Sequence, residues 1–201
     1  MNRRNLLLGL GTVVAGGGAA LGSGAFSTAD ASRELEVNVV TDTAIAEEFV
    51  DIILNDVGTT DTLAVDDGSN TDATALFPTS STADGDYSNY SPSENDVSLM
   101  QNDVTIVFGP TDNGLPPNST VGYDGLITVV NEDGNTSQNF DVSFTVEDSG
   151  SDPSPNVDFQ WAADNADSTV DSDSSEDVDV DVTTDGETST GTLVITITES
   201  T

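Results

Sequence analysis

The chain has 201 residues and carries 37 Asp and Glu against three Arg, with no Lys, His or Cys. Its formal charge of −34 exceeds the magnitude of about 2 to 8 that suits a small soluble domain. That charge excludes nucleic acid and anionic membrane headgroups as partners, since basic surfaces bind both. Without His or Cys there is no Ser-His-Asp triad, thiolate nucleophile, disulfide, or His- or Cys-ligated zinc.

In dilute buffer such a surface repels itself and opposes the compact state. At molar salt the Debye length shrinks to about 3 Å and screens most of that repulsion. The composition therefore reads as adaptation to a very salty exterior, with solvent cations as standing partners. High charge with few aromatics is also the signature of disorder, but several strongly patterned apolar segments argue for a folded domain.

The first residues have the three-part layout of a signal peptide: Arg3 and Arg4, an uncharged apolar stretch from Leu6, then small residues before the first acid at Asp30. The arginine pair followed by Leu6, Leu7 and Leu8 points to a twin-arginine export signal. Cleavage between Ala25 and Phe26 leaves residues 26–201 as one acidic domain, and a second small-residue site allows cleavage as late as Ala31. A retained anchor over Asn5–Ala29 is the competing reading; its many glycines weaken helicity and hydrophobicity. With the leader removed, Arg33 is the only cation left and no stable membrane insertion is expected.

Period-two alternation predicts a strand over Glu34–Val40, with Leu35, Val37 and Val39 on one face. In the segment 42–56, Ile45, Phe49, Ile52 and Ile53 recur at helical spacing, which predicts a short amphipathic helix; a strand is the alternative. Leu63–Val65 reads as a brief strand. Residues 67–96 form a long polar loop with Tyr87 and Tyr90 interspersed. Val104–Phe108 reads as a buried strand. Leu126–Val130 and Phe140–Val146, joined by a segment containing Asp133-Gly134, read as a hairpin. Asn156–Trp161 alternates, with Val157, Phe159 and Trp161 together. Val178, Val180 and Val182 oppose Asp177, Asp179 and Asp181, as in a sheet with one dry and one wet face. Leu193, Ile195 and Ile197 define a last strand. The expected fold is mainly β, a jelly-roll-like β-sandwich with one or two short helices.

The junction "GSGAFSTAD" and the later "LITVVNEDG" resemble the TasA/camelysin family of secreted biofilm-fibre subunits and the related archaeal bundling pilins. The resemblance implies a jelly-roll subunit, cleaved before Phe26, whose N-terminal strand inserts into a neighbouring subunit. It implies a secreted or cell-surface structural protein that associates with itself into filaments. The physical basis stands without the family: an incoming strand satisfies backbone groups of an incomplete sheet and seats alternate side chains in its groove. Leu35, Val37 and Val39 are the expected donor-strand anchors. The same strand can instead pair within its own subunit, and a monomeric secreted module binding a cation, glycan or envelope protein is the alternative. No enzymatic activity and no cofactor are expected.

Asp171, Asp173, Glu176 and Asp177 form the densest acid cluster. Oxygen ligands suit calcium, but the spacing lacks the glycine and distal glutamate of an EF-hand loop, so a solvated acidic loop is the favoured reading. Asn89, Asn118 and Asn135 each head an Asn-x-Ser/Thr glycosylation motif. Phe159 and Trp161 read as core or sheet rim rather than a carbohydrate platform.

Overall fold

The structure, a computed structural model, describes residues 33–41, 50–59, 62–68, 76, 87, 90–110, 114–132, 138–150, 155–162 and 168–200. Its strands are β1 (Arg33–Thr41), β2 (Val50–Leu54), β3 (Leu63–Asp66), β4 (Val97–Ser98), β5 (Thr105–Phe108), β6 (Thr120–Asn131), β7 (Phe140–Asp148), β8 (Asn156–Trp161), β9 (Thr169–Val170), β10 (Ser174–Thr183) and β11 (Ser189–Glu199). Six form one sheet in the order β3-β5-β1-β11-β7-β9, and five form the other in the order β4-β2-β6-β10-β8. The protein is a β-sandwich.

Alternation explains the packing. Val178, Val180 and Val182 of β10 and Leu193, Ile195 and Ile197 of β11 are all fully buried, and they join one core between the sheets. Aromatic contacts bridge the layers. Phe108 of β5 meets Tyr123 of β6 at 5.4 Å, and Phe144 of β7 stacks on Phe159 of β8 at 5.3 Å between ring centroids. Among the described residues, all strand pairings are antiparallel except β1 with β11, which runs parallel from Arg33↔Ser189 to Thr41↔Ile197.

Two expectations are corrected. The helix expected over 42–56 is, in its described part, the strand β2, and no helix occurs among the described residues. All five β2 residues are buried, so the strand is covered on both faces and shows no polar alternation; Ile52 joins the core between the sheets, whereas Ile53 is buried on the opposite face beside Asp51. Residues 42–49 of that expectation lie outside the described residues. The expected hairpin is also absent. β6 pairs with β2 and β10, whereas β7 pairs with β11 and β9. Their connection therefore crosses from one sheet to the other. Two strands with inward apolar faces can bury them against each other across the core as readily as side by side.

β6 bends at a bulge, where its register with β10 shifts between Val178 and Val180. Gly125 sits there with φ of +59°, a conformation that costs glycine little. The amide of Gly125 donates to Asp179 Oδ1 at 2.6 Å, and its carbonyl accepts from Asn55 Nδ2 at 2.9 Å. Beyond the bulge, Leu126–Asn131 is buried on both faces. The outer face of β2 and of the second half of β6 is therefore covered.

Candidate functional site

The strand predicted to donate itself is β1. It lies inside the six-stranded sheet between β5 and β11, with Leu35 opposite Ile106 on one side and Gly191 on the other. Leu35 is fully buried, and Val37 and Val39 are partly buried against the same core. Gly191 is glycine for a steric reason: a Cβ there would stand 2.5 Å from Pro155 Cγ, 2.9 Å from the Glu147 carbonyl oxygen and 3.4 Å from Leu35 Cδ2. The small residue lets Leu35 and Pro155 close over β11.

A second site was missed by sequence reasoning. Register places Asp51, Ile53, Thr128 and Val130 on the outer face of the five-stranded sheet. All four are buried, Asp51 with only 6 % exposure. Its Oδ1 accepts from the Ser98 hydroxyl at 2.6 Å and the Ile52 amide at 2.8 Å. Its Oδ2 accepts from the Tyr87 hydroxyl at 2.6 Å and Gln101 Nε2 at 3.4 Å. Burial pushes the Asp51 pKa above its ordinary 3.8, opposed by the hydrogen bonds from Ser98, Tyr87, Ile52 and Gln101.

Asp96, 4 % exposed, is the matching anchor. It accepts from the Tyr90 hydroxyl at 2.7 Å, and from the Ser93 amide and hydroxyl at 2.7 and 2.8 Å. Burial, followed by the bond to Asp96 and the charges of Asp96, Asp177 and Asp56, holds the Tyr90 hydroxyl protonated well above the usual phenol range. Asn55 Nδ2 donates to Thr128 Oγ1 at 2.7 Å, and Thr128 donates to Asp177 Oδ1 at 2.8 Å. Tyr87 and Tyr90 meet edge to face at 5.9 Å. Tyr87 and Tyr90 thus bond to Asp51 and to Asn55, at and just beyond β2. Chemically this is a clamp: donors occupy both oxygens of each buried carboxylate, and the Tyr90 hydroxyl keeps the proton it donates. Its one sequence signal was Asp51 itself, an acid inside the apolar run Phe49–Leu54.

The remaining predicted residues fall apart. Asp171 and Asp173 are exposed in the turn before β10, where Asp171 accepts from Asn139 Nδ2 at 2.8 Å. Glu176 and Asp177 are successive residues of β10 and so lie on opposite faces. Among the described residues, no three acids converge as a metal site. Asn118 is exposed in a turn with φ of +52°, compatible with an accessible acceptor. Arg3, Arg4, Ala25, Phe26, Asn89 and Asn135 lie outside the described residues. Comparison of the chain with protein-family models, with curated proteins and with solved structures finds no match to any of them.

Proposed function

We propose that the protein is an extracellular structural subunit of a filament or biofilm-matrix fibre, assembled by exchange of its N-terminal strand and without enzymatic chemistry. The observation that carries this reading is the position of β1. It is the first of the described strands, yet it fills the middle of the six-stranded sheet between β5 and β11, which are remote in sequence, so no hairpin ties it to either neighbour. Without β1, both neighbours would expose unpaired backbone and the slot now filled by Leu35. The same strand from another copy would restore the same hydrogen bonds and the same apolar contacts. Near cancellation of cis and trans contacts lets concentration and salt decide the outcome.

Electron microscopy of the mature protein in molar salt tests the proposal. Wild type should form filaments, and a variant with Leu35, Val37 and Val39 all changed to Asp should form none. Added peptide spanning residues 33–41 should occupy the open slot of that variant and restore its β circular dichroism without polymerising it. Filaments from the triple variant equal to those of wild type would refute donor-strand assembly. A second reading, a monomeric secreted or cell-surface module binding a cation, glycan or envelope protein, draws on the full register that β1 makes within its own chain. Wild type that stays monomeric under the same conditions selects it.

A further inference from the structure

The two sheets end in four edge strands of very unequal length. β9 and β4 have two residues each and β3 has four, whereas β8 has six. Among the described residues, no strand pairs with the outer edge of β8. Long edges are usually guarded by Lys, Pro or a bulge. The chain has no Lys, β8 contains no Pro, and its register with β10 runs unbroken from Asn156 to Trp161. β8 also carries a single acid, Asp158, in a chain with 37.

The pattern along this edge is self-complementary. Asn156, Asp158 and Gln160 are exposed, while Val157, Phe159 and Trp161 are half-buried, with Phe144 packed on Phe159 and Trp161. Directly opposed residues must share a face, so an antiparallel pairing of β8 with itself can shift only by two residues at a time. One register opposes Asp158 to Asp158, which like charge disfavours. Two others leave either Asn156, Val157 and Asp158 or Phe159, Gln160 and Trp161 without partners in the strand. The remaining register pairs Asp158 with Gln160 twice, Val157 with Trp161 twice, and Phe159 with Phe159 on the two-fold axis. Gln160 Nε2 already donates to Asp158 Oδ2 of its own strand at 2.9 Å, so this amide and carboxylate are matched in chemistry. The same register completes the half-buried apolar row.

We propose that the edge of β8 that no described strand pairs with binds a second copy of this chain, joining two five-stranded sheets into one across a two-fold axis. The occupant is another copy because the edge supplies both members of each polar pair and both members of each apolar pair. The contact is independent of β1, which lies in the other sheet. Its hydrogen bonds are short-range and survive the salt that screens the surface acids.

The test is sedimentation equilibrium of the mature chain in molar salt, with circular dichroism to confirm each fold. Gln160→Asp opposes acid to acid at both polar pairs and should weaken association by about tenfold. The double variant Asp158→Gln with Gln160→Asp restores each pair with its members exchanged and should recover the wild-type association. Because the chain has no cysteine, Asp158→Cys and Gln160→Cys can be prepared separately, mixed and oxidised. The mixture should cross-link in higher yield than either variant alone, whether or not filaments also form. Equal yields in all three samples, or association unaffected by Gln160→Asp, would overturn the proposal.

Discussion

Truncating Leu35 to Ala removes the one fully buried side chain among those described in β1 and measures how far this strand belongs to the core. Leu35 has no exposed surface and lies between Ile106 and Gly191, with Cδ2 close to the Gly191 backbone. Strands flank it on both sides, so the cavity left behind cannot collapse easily. Leu→Ala costs about 2–5 kcal/mol depending on how well a site relaxes; this site belongs in the upper half, at about 4 kcal/mol. For a domain of this size each kcal/mol lowers Tm by about 2–4 °C, so a fall of about 10 °C is expected. Val39→Ala, at a half-buried position of the same strand, should cost about 1 kcal/mol and lower Tm by about 3 °C. The assay is thermal unfolding followed by circular dichroism in molar salt at several protein concentrations. A strand held in cis gives a concentration-independent Tm, whereas a strand shared between copies makes Tm rise with concentration. A Leu35→Ala melt within about 1 °C of wild type would refute the placement of β1 in the core.

Gly191→Ala would force a methyl against the Glu147 carbonyl and Pro155 and should destabilise by about 1–3 kcal/mol. Gly122→Ala meets only the flexible end of Asp181 and should stay within about 0.5 kcal/mol of wild type; paired melts compare the two. Asp51 predicts a pH dependence. Its folded pKa lies above 3.8, so the folded state binds the proton more tightly. The contribution of this group to stability is greatest below 3.8 and is lost as pH rises through the folded value. The Tm difference between wild type and Asp51→Asn, measured at constant molar salt, should therefore shift toward wild type on acidification. Dialysis into water at neutral pH should abolish β circular dichroism, because −34 of net charge is then unscreened. An unchanged spectrum would remove the salt requirement.

Strands with one wet face were legible in the sequence. β1, β8, β10 and β11 alternate because solvent lies on one side and the core on the other, and their inward residues were read correctly. β2 was not legible, since Tyr87 and Tyr90, distant in sequence, bond to Asp51 and Asn55 on its second face and at its end, and nothing in the composition around them announces this. The partners of β6 and β7 were hidden for a different reason. An apolar face records that a strand is buried, but not which sheet buries it. Asp51 and Asp96 were lost among many acids, although an Asp within Val50–Leu54 is the kind of residue that must find donors when it is buried.

Because β1 and β11 lie side by side at the heart of the six-stranded sheet, the ribosome delivers the two halves of that seam at widely separated times. Until residues 189–199 emerge, Leu35 has only β5 beside it, and β7 lacks its main partner. The five-stranded layer can close earlier, since β10 is made before β11. A nascent chain stopped short of Ser189 would carry a split sheet with an open cleft, and such long-range pairing is the slow kind.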